Sequence, residues 1–178
     1  LSKSEIQINA YCQHQGKIIA LFWVIRYDDY FFLSCPLELV NFIQSRLQMF
    51  VIISDVKIEN YTSKFSQIGS INETNSDSFF LNKNLSILIT KSFDFSSFKF
   101  NSLNEWKKLL IDAKIPEIFL KTSEKLVPQM LNLDIDEIGV NFSKGCYPGQ
   151  EVVARLHYLG SAKRRLFSFT SDKEMQVG

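Results

Sequence analysis

Apolar positions along the chain fall first into short runs of strand length and later into stripes with helical spacing. Residues 6–12 read as a strand and residues 13–16 as a turn. Residues 18–25 are an unbroken apolar run rich in Ile, Val and aromatics. Such a run suits a strand covered on both faces, because a strand with one wet face alternates apolar with polar positions. Asp28-Asp29 turns the chain into residues 30–33, completing a hairpin. Pro36 then opens a helix with Leu37, Val40, Ile43, Leu47 and Phe50 at helical spacing, and residues 51–58 return as a strand.

From residue 61 to 80 the wording turns to Ser, Thr, Asn and Gln, with residues 70–78 reading as a polar loop and 85–90 as a short strand. The best-marked element is a helix over residues 101–114. Ser102 and Glu105 have capping-box spacing, in which each side chain satisfies a free amide at the helix start. Leu103, Trp106, Leu109, Leu110 and Ala113 form its apolar stripe, and Pro116 lies just past its end. Pro128 starts a turn through Leu131, and residues 138–142 read as a strand or extended link. Pro148 stands where a first helical residue belongs, Val152, Val153, Leu156 and Leu159 give that helix an apolar side, and Gly160 closes it. Residues 165–170 begin another strand. The mixture predicts an α+β fold, with no internal repeat.

Composition narrows the class. With 46% hydrophobic and 22% charged residues, 178 residues can bury a core as one domain or parts of two. A net charge of +1 favours no class of partner in bulk. Cys12, Cys35 and Cys146 are odd in number and widely spaced, which fits neither a disulfide framework nor a metal cluster and points to a reducing compartment. With only His14 and His157, a His-rich metal site is not expected, and His157 reads as a surface or packing residue. No apolar run reaches the length of a membrane helix, and no signal peptide is visible. The chain opens at Leu1 and stops at Gly178, and both ends are expected to be cut.

Candidate chemistry concentrates in residues 144–155, Lys-Gly-Cys-Tyr-Pro-Gly-Gln-Glu-Val-Val-Ala-Arg. Cys146 falls just before the predicted helix, where free amides and the helix dipole favour negative charge. With Lys144 two residues away, both effects would favour a thiolate. Gly145 and Gly149 permit a tight backbone or close approach of a ligand. Glu151 lies in the first turn and has the spacing to pair with Arg155. The competing reading of Cys146 is a small buried residue, the commoner fate of a free cysteine and the one assigned to Cys12 and Cys35. Five Lys or Arg against one acid between residues 144 and 165 make a local excess of +4, suited to a carboxylated or phosphorylated ligand or simply to a solvated face.

This segment resembles the Lys-Gly-Cys-(Tyr/Phe)-x-Gly-Gln-Glu signature of the YgfZ family, within the glycine-cleavage T-protein (GcvT) superfamily; Lys144, Gly145, Cys146, Tyr147, Gly149, Gln150 and Glu151 all match. Val127-Pro128-Gln129 with Leu131-Asn132-Leu133, then Gly160 and Lys163-Arg164, resemble its flanks, and residues 10–17 look like its early hairpin. The resemblance covers most of the chain and is weakest between residues 61 and 100.

It implies a folate-binding fold of two mixed α/β domains and a small β-barrel around a central opening. Residues 1–60 and 101–160 would form an N-terminally incomplete first region, 61–100 a shortened second-domain segment, and 161–178 the start of a truncated barrel. It also implies that Trp106 lines a site for tetrahydrofolate or a related folate. Cys146 would be the functional thiol, and the basic residues would receive the glutamate tail. The partners implied are iron–sulfur client enzymes, including radical enzymes that modify tRNA, in the bacterial cytoplasm or, in a eukaryote, the mitochondrial matrix. Two alternatives stand beside this accessory role. One is an aminomethyl transferase, which needs an acidic residue over the folate. The other is a tRNA-binding module, which the modest charge and the lack of interleaved exposed aromatics disfavour. Without the resemblance, Trp106 reads as core, as Trp23 does.

Overall fold

The computed structural model describes residues 5–72, 78–91, 96, 99–135 and 140–175. Strands β1 (Ile6–Cys12), β2 (Ile18–Tyr27) and β3 (Tyr30–Ser34) form an antiparallel meander in that order. Strands β4 (Ser66–Ile71), β5 (Ser78–Phe80) and β6 (Leu85–Thr90) form a second antiparallel sheet with β6 in the middle. The helices are α1 (Val40–Gln48), α2 (Leu103–Asp112) and α3 (Gln150–Tyr158), with 3-10 turns at Leu37–Leu39 and Pro128–Leu131.

The expected doubly covered strand is β2. Ile18, Ile19, Ala20 and Ile25 are fully buried, and each Ile contributes about 1.5–3 kcal/mol by leaving water. Its first half packs with Leu39, Ile43, Ile118, Leu131 and Leu133. Farther along, Trp23 and Ile25 pack with Phe79, Leu85, Ile87, Ile89, Leu110 and Ile115. One strand thus joins two apolar clusters. Its start is also held through the backbone, because Ile18 donates to the Leu126 carbonyl and accepts from the Glu124 amide.

Helix α2 forms inside the predicted span, with both halves of the Ser102–Glu105 capping box in place. Its end is a Schellman motif: the Ile115 amide donates to the Leu110 carbonyl and the Lys114 amide to the Ile111 carbonyl. Leu110 and Ile115 meet in the core beneath it. The left-handed position that this motif requires is filled by Lys114, at φ +57°.

Several predicted elements are replaced. Residues 51–58 are not a strand but an open loop, with Ile52 and Ile53 among the most exposed side chains. A strand needs a ladder partner; here the ties are local ones, the Val51 amide to the Gln48 carbonyl, the Val56 amide to the Ser54 carbonyl and a Lys57–Glu59 ion pair, besides Gln44 Nε2 donating to the Ile58 carbonyl. Conversely, β4 lies in the polar stretch, where Ser70 and Ser86 sit opposite each other and share a hydrogen bond of 2.8 Å. Of the predicted 70–78 loop, residues 73–77 lie outside the described residues, as do 138–139 of the 138–142 segment; residues 140–142 carry no strand. Residues 165–170 also form no ladder. Their start is tied to side chains instead, Arg165 to Asp134 and the Leu166 carbonyl to Asn132 Nδ2. Helix α3 begins at Gln150 with Gly149 as its N-cap, so Pro148 precedes the cap and Leu159 follows the last turn.

A left-handed residue with a Cβ costs about 1–2 kcal/mol. Lys114→Gly should therefore stabilise the protein by about 1 kcal/mol, measured as a higher urea midpoint with unchanged slope.

Candidate functional site

Helix α2 presents Trp106 to β4. A Cβ on Gly69 would lie 2.6–2.7 Å from three ring carbons of that indole, so the glycine lets the ring lie on the strand backbone. Beyond the ring opens a cavity of about 170 Å³. Leu21, Trp23 and Pro116 give it an apolar wall, and Ser34, Cys35, Gln67, Lys107 and Glu117 bring polar groups. Ser34 Oγ and Gln67 Oε1, 2.6 Å apart, fasten the two sheets together at this wall.

Glu117 is the acid in this lining and Lys107 the cation. Burial raises the Glu117 carboxyl above the ordinary carboxylate range, and Lys107 pulls it partly back. Burial also pushes the Cys35 thiol up to about 11, so it is neutral at pH 7. Of this lining, sequence reasoning assigned only Trp106 to a ligand site. Glu117 follows the Ile115-Pro116 turn by one and two residues, with no local pattern to mark it.

The cysteine motif lies elsewhere. Cys146 is exposed, and nothing lies within 4 Å of a Cβ built on Gly145. The sulfur sits three residues ahead of the N-cap, beyond the first turn, to which the dipole's effect is confined. Lys144 packs over Tyr147. Its Nζ lies 4.7 Å from the centroid of the Tyr147 ring, and its charge acts on Cys12. Burial outweighs that charge and pushes the Cys12 thiol up to about 11. A second cavity of about 90 Å³ is lined by Lys144, Tyr147, Cys12 and residues of β1. It shares no described lining residue with the Trp106 cavity, and Cys146 is not among the described lining residues of either.

Gly149 has a scaffolding task. At φ +82°, a Cβ there would lie 2.5 Å from the Gln13 carbonyl oxygen and 2.7 Å from Gly16 Cα. Gly16, at φ +75°, faces Val152 in turn. The motif glycine thus seats the β1–β2 turn on the start of α3. Gln150 and Glu151 open the helix, and no ion pair joins Glu151 to Arg155. His157 stacks on Phe142 at 3.9 Å between centroids, a packing role. The expected basic excess is smaller than the count implied, because both terminal guanidinium nitrogens of Arg165, Nη1 and Nη2, donate to the Asp134 carboxylate. Among the described residues no group of three His, Cys, Asp or Glu is placed to hold a metal ion. Nor is any helix there long and apolar enough to cross a membrane.

Gly149→Ala combines a strained φ with a backbone clash and should cost about 2–4 kcal/mol in chemical denaturation. Glu117 yields a pH signature. Its raised folded pKa means that the native state holds the proton more tightly than the unfolded chain, so stability falls as pH rises from the ordinary carboxylate range through the raised value. Glu117→Gln should therefore be more stable than the parent at pH 7, and the gap should close as pH drops through about 4.

No family model matches the chain. Along its full length it is 28% identical to an uncharacterised protein of Haemophilus influenzae, spanning 65% of that protein. A 73-residue stretch, 41% of the chain, is 48% identical to the tRNA-modifying protein YgfZ of Colwellia psychrerythraea and covers 22% of it. A 72-residue stretch is 43% identical to the tRNA-modifying protein YgfZ of Blochmanniella pennsylvanica, again covering 22%. The corresponding figure for Yersinia enterocolitica is 44% over 69 residues, 21% of that protein. The matched stretches thus span about a fifth of each YgfZ protein, and about two-fifths of this chain is homologous to the YgfZ tRNA-modifying proteins.

Proposed function

We propose that the chain is part of a YgfZ-type, folate-binding accessory protein that acts in tRNA modification. The homology to tRNA-modifying proteins supports the broader role. The folate reading rests on one observation, the Trp106 indole laid against Gly69 as the wall of a cavity that also holds Glu117 and Lys107. At about 170 Å³ this cavity is smaller than the ~300–1,000 Å³ of clefts that enclose a whole drug-sized ligand. It fits the flat bicyclic head of tetrahydrofolate, stacked on an indole, with the tail outside. Glu117 would accept hydrogen bonds from the ring's N–H groups, and Lys107 would meet the ligand's negative charge.

In this reading the protein serves iron–sulfur client enzymes that modify tRNA, in the bacterial cytoplasm or the mitochondrial matrix, within the larger domain arrangement of the T-protein superfamily. Cys146 is its exposed functional thiol, acting on a partner rather than on the folate. Direct tRNA binding is not part of it. One observation favours the second reading, an aminomethyl transferase: Glu117 is an acid beside the proposed ring site, with a carboxyl biased toward keeping its proton.

Tetrahydrofolate should quench tryptophan fluorescence saturably, and Trp106→Phe should weaken binding about tenfold, equivalent to ~1.4 kcal/mol. Because Trp23 lines the same cavity, the affinity change is the deciding readout rather than the signal's size. Unchanged affinity in Trp106→Phe would remove the folate site from this cavity. Restored tRNA modification by Cys146→Ala in a deficient cell would remove the thiol from the mechanism. Release of a one-carbon unit from an aminomethyl donor, lost in Glu117→Gln, would favour the transferase.

A further inference from the structure

The Ser34–Gln67 bond that fastens the two sheets also orients an amide. Gln67 stands two residues before Gly69 on β4, so its side chain leaves the strand on the face where the indole lies. It is exposed, at the rim of the cavity it lines. The 2.6 Å between Ser34 Oγ and Gln67 Oε1 suits an O–H···O bond and is shorter than an N–H···O bond usually becomes. The hydroxyl therefore donates to the amide oxygen, and that bond fixes which way the amide is turned. Gln67 Nε2 is left as a donor with no partner among the described residues. Lys107, the other donor of this lining, rests over the Phe119 ring and is fixed by no hydrogen bond among the described residues.

The cavity thus carries an oriented donor at Gln67 and, when Glu117 is ionised, an acceptor. The pteridine head of a folate carries both complements, a ring N–H with its neighbouring 2-amino group and a 4-oxo carbonyl. We propose that Gln67, oriented by Ser34, selects 4-oxo pteridines by donating from Nε2 to the ring carbonyl. A 2,4-diaminopteridine places N–H groups where that carbonyl would be, so donor faces donor. A site built to bond one polar group rejects an analogue that leaves its own group unpaired. This selection rests on the folate reading of the cavity and adds which pteridines the site accepts. Ser34 is a positioning residue, acting through Gln67.

The test is calorimetric titration of the chain with tetrahydrofolate and with its 2,4-diamino counterpart, tetrahydroaminopterin. The readout is the ratio of the two dissociation constants and its change between variants, in which the stronger pairing of a diamino ring with Glu117 cancels. Gln67→Glu keeps the shape and the Ser34 bond but puts an acceptor where the donor stood. Its ratio should move about tenfold or more toward the diamino compound. Gln67→Met, which removes the donor and adds no charge, should move it about two- to tenfold the same way. Ser34→Ala frees the amide to turn and should give a smaller shift in that direction, which a residue that only fastened the sheets would not. An unchanged ratio in Gln67→Glu, with tetrahydrofolate still bound, overturns the selection and leaves the folate site standing. A shift in Gln67→Glu with none in Gln67→Met reports added charge alone and also overturns it. No binding of tetrahydrofolate to the parent chain removes the folate reading and this inference together. If Gln67→Glu does not fold, Gln67→Met decides by the same ratio.

Discussion

Strand β2 has no wet face along most of its length, and that enclosure places every other element. A strand buried on both sides must find a cover for each. Here α1 and the 118–133 segment supply partners for its first half, while the second sheet and α2 close around Trp23 and Ile25. The consequence for chemistry is geometric. Trp106 is set by the second cluster, whereas the seat of α3 is set by the turn that enters β2, through Gly16 and Gly149. The two candidate regions are held apart because they answer to opposite ends of one strand.

The sequence made β2 legible because its composition leaves no polar stripe, and α2 because a capping box is a local chemical pattern. It misled where a segment's partner decides its state. Residues 51–58 have the β-branched content of a strand but meet no ladder, so their apolar side chains stand in solvent. β4 looks like a loop because its inward positions include Ser66 and Ser70, yet the Ser70–Ser86 bond and the Gly69 seat for the indole make those small polar residues the right ones. Strand propensity describes fitness for a pleated, half-buried surface and not an intrinsic backbone choice. At Lys114, likewise, the tertiary Leu110–Ile115 contact outweighs a local preference for glycine.

For the site, the motif was legible as a place but not as an arrangement. Its residues divide among three tasks. Gly149 lets two backbones touch, Lys144 and Tyr147 turn into the smaller cavity, and Cys146 faces out. Spacing along the chain could not separate these, because residues 144–149 precede the helix, and an irregular segment has no period from which to infer which way a side chain points. Glu117 was hidden for the opposite reason. It is an ordinary acid in sequence and becomes unusual only through its burial beside Trp106 and Lys107.

Charge gives the last distinction between ligand classes. Counted along the chain, residues 144–165 are a basic stripe, the footprint expected of a protein that tracks a phosphate backbone. In space the stripe is broken. Arg165 is committed to Asp134 and to the Gln129 carbonyl, and Lys144 lies over its own tyrosine. A nucleic acid is held by many exposed cations acting together, and its binding grows with their number. A small anion needs one cation with a neighbouring donor in a site too tight for solvent. Lys144 is itself exposed, so the described residues form no such closed site around it, and Arg155, Lys163 and Arg164 remain as exposed cations of the stripe.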